Sequence, residues 1–268
     1  MSLPGVGQPP QRLWPEVSGW RALLSATLVG LSWFPLKLGA ILIGNFIASS
    51  LILHTSHPTA AQLTIFSLYT DLAMLLVSGI FCFLLIPKMF RITPQRYREF
   101  LQEIGVTGGS WRAIVAILGL MGLVGIFLLL FATPLVWHSD VSAWVSFVQP
   151  PLVEETLFRG IVLALLLRRF PVWFAVGWAA LLFMPPHVFE GVLVMVGTGL
   201  LFGIPQGLLR LRTQSIWPGV IAHFLFVSGI GSPIFLAYVV LIAGLLVAWM
   251  VQAGRQRTHT NLKSMARG

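Results

Sequence analysis

Charge is what this chain is short of. Of its 268 residues only 9% are charged, while 57% are hydrophobic. Soluble domains carry about a quarter charged residues, so a soluble globular fold is excluded. Cysteine is almost absent: Cys82 is the only one and lies in an apolar run. An intrachain disulfide is impossible, and a packed, unreactive thiol is expected. Short segments of strict polar–apolar alternation are missing, which excludes a β-barrel. The N-terminus is Pro-rich and polar. It lacks a short apolar core before a small-residue cleavage site, so no cleavable signal peptide is expected. No transporter-type repeat and no low-complexity stretch is visible.

Long apolar runs are plentiful, several of them near the 20 residues that cross about 30 Å of hydrocarbon. They predict an all-α polytopic membrane protein with about eight transmembrane helices, at 36–54, 64–87, 113–137, 151–169, 171–187, 191–209, 214–230 and 232–252. Residues 1–19 read as an N-terminal tail and 20–140 as an N-terminal membrane region. Within that region 20–35, interrupted by Pro35, is an interfacial helix or an extension of the first span. Near 94–104 the pattern is that of an amphipathic surface helix. A core over 141–252 and a basic tail over 253–268 complete the chain. Trp14, Trp20, Trp33, Trp137 and Trp144 fit interface anchors.

The net charge of +9 does not call for nucleic acid. Placed on these spans, 16 of the 17 basic residues fall on one side, including Arg12, Arg21, Lys37, Lys88, Arg168 and Arg210. The positive-inside rule makes that side the cytoplasm, with both termini there. The lipid bilayer is the expected partner, and the bacterial inner membrane the expected location. The exception among basic residues is Arg159, inside a span.

Polar groups at membrane depth are few: Asp71, Glu154, Glu155, Arg159, His187, Glu190 and His223. Each ionised carboxylate there costs roughly 2.5–3.5 kcal/mol on insertion scales, and two adjacent ones need a use. Arg159 stands one helical turn after Glu155, where an ion pair forms. A structural pair explains one acid, leaving the other free to act as a base. Spacing alone does not say which is which. Pro185 and Pro186 must break the helix just before His187, and broken backbone at this depth lines a cavity. His223 lies well inside a span and needs a partner. Two acids and two histidines on three spans suggest a water-activating site, with or without a metal. A divalent metal such as zinc would take Glu154, His187 and His223, although an H-E-x-x-H motif is absent. Asp71 reads as structural and Glu190 as solvated. Gly199, Gly203 and Gly207 form a close-packing stripe.

The order Glu154-Glu155-x-x-x-Arg159, then Phe183-x-x-x-His187, then His223 resembles the CPBP family of intramembrane proteases, which includes the CAAX prenyl endopeptidases and Abi-type proteins. The resemblance covers about 145–252. It implies an endopeptidase acting on a membrane-anchored peptide or protein. Glu154 would be the base, and Glu155 would orient it or pair with Arg159. His187 would share the water and His223 would face the oxyanion. The family's third motif ends in Asn, four residues after its His, where this chain has Val227. Valine donates no hydrogen bond, and losing one oxyanion donor costs about 10²–10³ in rate. A slower protease, another donor, or a non-catalytic scaffold or immunity-type relative are all compatible. A proton-coupled transporter is a weaker alternative.

In this topology Glu154 begins an outside-to-inside helix and His187 ends an inside-to-outside one, so the site opens outward. An impermeant carbodiimide should therefore modify Glu154 in intact cells. Modification confined to inside-out vesicles would overturn the orientation.

Overall fold

A computed structural model describes residues 18–51, 59–109 and 141–228. The expected spans 113–137 and 232–252, most of the 1–19 tail and the tail 253–268 lie outside the described residues. The chain forms two units, Met1–Val115 with Val136–Phe224, and Ala116–Leu135 with Leu225–Gly268. Every side-chain contact below belongs to the first. Of the second, only the helical turn Leu225–Ser228 is described.

All regular structure among the described residues is helical. Helix α1 spans Gly19–Leu51 and passes through Pro35 without ending. Residues 20–35 therefore extend the first span. Proline removes one backbone hydrogen bond, a loss that membrane helices tolerate. Helix α2, Ala60–Ile80, starts at Thr59 with a capping box: Gln62 N–H donates to Thr59 Oγ1 at 3.3 Å, and Thr59 N–H to Gln62 Oε1 at 2.8 Å. A π-helical turn, Phe81–Leu85, carries it into α3, Ile86–Met89. Two of these rods are long and apolar enough to cross a bilayer, Gly19–Ser50 and Ala61–Met89, with mean hydropathies of 1.7 and 2.2. Their outward residues are themselves apolar, among them Leu28, Leu42, Phe46, Leu72 and Leu76. That pattern suits lipid.

The inward face of α1 is a stripe at helical spacing: Ala22, Ala26, Val29, Trp33, Lys37 and Ala40. The apolar members are buried. Two expectations need correcting here. Trp33 is 1% exposed and is not an interface anchor. Lys37 is not a loop charge ahead of the first span; it sits in the middle of α1. A Cβ on Gly44 would lie 2.6 Å from Thr70 Cα, which shows how closely α1 and α2 approach. Asp71 contacts Ser67 at 3.5 Å, one turn earlier on α2.

After a 3₁₀ turn, Pro94–Arg96, comes helix α4, Tyr97–Glu103. Glu103 ties this segment to the rest. Arg168 donates to Glu103 Oε1 from Nη2 at 2.7 Å and from Nε at 2.9 Å, and Arg210 Nη2 donates to the Glu103 carbonyl at 2.6 Å. Burial pulls the Arg210 guanidinium down to about 10, with Glu103 opposing the shift. Ile216 N–H donates to the Gly105 carbonyl at 3.0 Å, and Trp217 Nε1 to the Val106 carbonyl at 2.8 Å.

Helix α5, Val141–Glu154, continues through Pro150 and Pro151 into a π-helical segment, Glu155–Val162, and then α6, Leu163–Leu167. Residues 141–149 are thus the start of the Glu-Glu helix. Helix α7 spans Val172–Leu182, and a 3₁₀ turn, Pro185–Glu190, follows it at the expected break. The next rod comprises α8, Val192–Gly197, a π-helical turn, Thr198–Gly203, and α9, Ile204–Thr213. Its glycine stripe faces the α7 rod. A Cβ on Gly203 would lie 3.1 Å from Ala180 Cβ, one on Gly207 3.0 Å from Val176 Cγ1, and one on Gly199 would collide with Met184. Helix α10, Trp217–Ser228, carries His223.

Gly105 has φ +82°, and a Cβ there would lie 2.6 Å from Arg210 Nε. Gly105→Ala should cost about 1–3 kcal/mol, read as a lower thermal unfolding midpoint in detergent. An unchanged midpoint would sink this account of the Glu103 junction.

Candidate active site

Glu154 and Glu155 straddle the point where α5 widens into its π-helical segment. π-bulges are frequent at functional sites. Both carboxylates are almost wholly withdrawn from solvent. A buried charge has to be met by opposite charge or hydrogen bonds, and the surroundings supply both.

Glu155 is held from two sides. Arg159 Nη1 lies 3.3 Å from its Oε1, an ion pair along the helix. His223 Nδ1 lies 3.1 Å from the same oxygen. A carboxylate facing an arginine only accepts, so Nδ1 carries the proton and donates; this assigns the tautomer from the hydrogen bond. In its neutral form this tautomer presents a lone pair at Nε2. Glycine at 219 leaves room for the arrangement, since a Cβ there would sit 3.0 Å from both Glu155 Oε2 and Gln206 Oε1.

Glu154 is surrounded at a longer distance. His187 Nε2 and His223 Nε2 each lie 3.9 Å from its Oε2, and Lys37 Nζ lies 3.9 Å from its Oε1. These separations exceed a direct hydrogen bond. They suit pairs that share a third atom. Oε2 makes no direct hydrogen bond among the described residues.

Aromatic rings hold this polar cluster from below. Phe183 lies under Arg159, with the guanidinium carbon 4.1 Å from the ring centroid, a cation–π contact that a desolvated site strengthens. Its centroid is 4.9 Å from His187 and 5.2 Å from Phe158, both in edge geometry. Phe202 packs edge-on against His223 at 4.5 Å. The backbone break places His187, whose N–H donates to the Met184 carbonyl at 2.9 Å.

The structure brings together Glu154, Glu155, Arg159, His187 and His223. Asp71 makes its contact within α2 instead, and Glu190 closes the turn after His187. Sequence reasoning passed over Lys37, Phe202, Gln206 and Gly219. Phe183 was noticed only as a motif letter. The helical spacing of the α1 stripe was the available signal for Lys37.

A zinc site needs closer spacing. Two ligands at about 2.1 Å and tetrahedral angles stand roughly 3.4 Å apart, whereas both histidines are 3.9 Å from Glu154 Oε2. Among the described residues no group of three His, Cys, Asp or Glu is placed to hold a metal ion. As spaced, Glu154, His187 and His223 do not fit zinc.

Residues 136–229 match the family model described as Rce1-like, type II CAAX prenyl endopeptidase. The resemblance to the CAAX proteases is shown. No curated protein and no solved structure matches the chain. The CAAX-protease-like stretch contains all five cluster residues and Val227, and excludes α1 with Lys37.

Glu155→Gln would leave Arg159 buried without its carboxylate and remove the anionic acceptor of His223. A loss of about 3–5 kcal/mol is expected for breaking a buried pair from one side, seen as a lowered unfolding midpoint in detergent. A midpoint equal to wild type would refute this pairing.

Proposed function

We propose that this chain is an intramembrane endopeptidase that hydrolyses a peptide bond in a membrane-associated peptide or protein through glutamate- and histidine-activated water. The observation that carries the reading is His223, bonded through Nδ1 to Glu155 while its Nε2 faces Glu154 Oε2 at 3.9 Å. Two carboxylates thereby take two roles, one structural and one reactive.

In this reading Glu154 is the base. It takes a proton from water while the water oxygen bonds the scissile carbonyl carbon and the carbonyl π pair moves onto oxygen. When that pair returns, the C–N bond breaks, and the proton held by Glu154 passes to the leaving nitrogen. His187 and His223 orient the water, and the lone pair at His223 Nε2 accepts from it. In this reading the His223 ring is neutral and has no proton to give to an oxyanion. Its expected family role passes from donor to water-holder. Glu155 and Arg159 fix the ring and the neighbouring helix turn.

Around this centre we place eight membrane spans, with both termini cytoplasmic and the site opening outward in a bacterial inner membrane. Fifteen of the 17 basic residues, all but Lys37 and Arg159, fall on the cytoplasmic side of that arrangement and support it. A second reading, a non-catalytic relative of the same fold, is favoured by Val227. The two separate in proteoliposomes supplied with peptides anchored either by a lipidated cysteine or by a transmembrane segment, with products read by mass spectrometry. Wild type should generate new termini, and Glu154→Gln should lower the rate about 10²–10⁴-fold. Wild type that cleaves neither peptide class, or cleavage equal in Glu154→Gln, would remove the protease reading.

A further inference from the structure

The resemblance implies a His and an Asn as donors to the oxyanion. This chain has Val227 at the Asn position in its sequence, and the Nδ1 proton of His223 is committed to Glu155. Arg159 is ion-paired with Glu155 and stacked over Phe183, although its Nη1 and Nη2 make no hydrogen bond among the described residues. Negative charge must nevertheless appear on the carbonyl oxygen during attack.

The α1 stripe carries a cation into the same centre. Lys37 is the one charged residue of Ala22, Ala26, Val29, Trp33, Lys37 and Ala40. Lysine inside a membrane helix is rare and marks function by default. Helix α1 packs against both the π-helical segment Glu155–Val162 and the turn Pro185–Glu190. Its seating is specific: Trp178 Nε1 donates to Thr27 Oγ1 at 3.0 Å, and a Cβ on Gly30 would lie 3.0 Å from Leu182 Cδ1. The Lys37 ammonium faces Glu154 Oε1, while the histidines face Oε2. Its side chain is 24% exposed, against 2% for that of Glu154. Lys37 is therefore the more accessible member of the pair.

We infer that Lys37 is a catalytic residue, the donor that stabilises the carbonyl oxygen in place of the missing Asn. The inference rests on the endopeptidase reading above. As water loses its proton to Glu154, the carboxylate becomes neutral and the negative charge moves to the carbonyl oxygen. No net charge is created; it shifts by a few ångströms. Lys37 faces Glu154 before the shift and the oxyanion after it. At 3.9 Å the resting contact is loose, and the contact with the oxyanion is a direct hydrogen bond. An interaction stronger in the transition state than before it lowers the barrier.

The test uses the proteoliposome assay with Lys37→Met and Lys37→Arg. Lys37→Met should lower kcat about 10²–10³-fold with KM changed less than about threefold, the mark of an interaction made only in the transition state. Lys37→Arg should recover at least about tenfold of that loss, since it keeps charge and donor. A peptidyl difluoroketone, whose hydrate mimics the tetrahedral intermediate, should lose at least about tenfold more affinity in Lys37→Met than the unreactive parent peptide does. Thermal unfolding in detergent checks the fold, and Lys37→Gln replaces Lys37→Met if the latter does not fold. The inference is overturned if wild type cleaves, Glu154→Gln does not, and Lys37→Met keeps kcat within about threefold. A loss confined to KM, or lower thermal stability with kcat intact, overturns it too and makes Lys37 a structural counter-ion. Wild type that cleaves nothing removes the endopeptidase reading itself and this inference with it, a result distinct from either of those.

Discussion

The Glu155 carboxylate, withdrawn from water and held by Arg159 and His223, is the constraint on which the rest of the site depends. An unpaired carboxylate in this setting is expensive enough that its partners must be fixed. Arg159 answers from one turn along the same segment, and its guanidinium then needs a surface; Phe183 provides one. The Phe183 ring sets the edge against which His187 packs. His223 answers from α10, and Phe202 holds that ring in turn. Glycine at 219 is required because a side chain would occupy the space of the carboxylate. One buried anion thus fixes residues on four stretches of chain, and Glu154 inherits a finished environment.

The residues that meet in the candidate site were legible in the sequence because a membrane makes polar groups conspicuous. Two adjacent acids and an arginine one turn later stand out against apolar neighbours, and Pro185-Pro186 marks the break that delivers His187. The glycine stripe was legible for the same reason: three small residues at one spacing predict close approach, and the α7 rod supplies it. Lys37 and Trp33 were misread for the converse reason. Hydropathy windows treat a lysine beside Pro35 as the edge of a span, and the charge count then takes it as a loop residue. Helical phase carries the other information, since Lys37 falls in register with Ala26, Val29 and Trp33. Pro35 added to the error, because it suggested an interruption that α1 does not make. The π-helical widening between the glutamates has no composition signal. Within it Gly160 packs closely, where a Cβ would lie 3.0 Å from the Ile104 carbonyl.

The two glutamates differ in the distance of their partners. Partners of Glu155 stand at 3.1 and 3.3 Å, and those of Glu154 at 3.9 Å. A carboxylate in tight ion pairs is a poor base, because removing its charge by protonation forfeits those contacts. Glu154 has cation and imidazoles nearby without committing its lone pairs to them. That looseness is compatible with the energetic cost of burial, because Coulomb attraction falls only as the inverse of distance whereas hydrogen bonding falls much faster. For the Lys37 ammonium at 3.9 Å most of the charge compensation survives while the hydrogen bond does not. The same separation leaves a third atom able to reach both members of each pair. Water between Glu154 and a histidine, or a carbonyl oxygen beside Lys37, would complete contacts that the side chains do not make with one another. In the proposed reading, the spacing that does not match a zinc ligand set also leaves Glu154 uncommitted as the base, while Glu155 would have to release Arg159 and His223 to take its place.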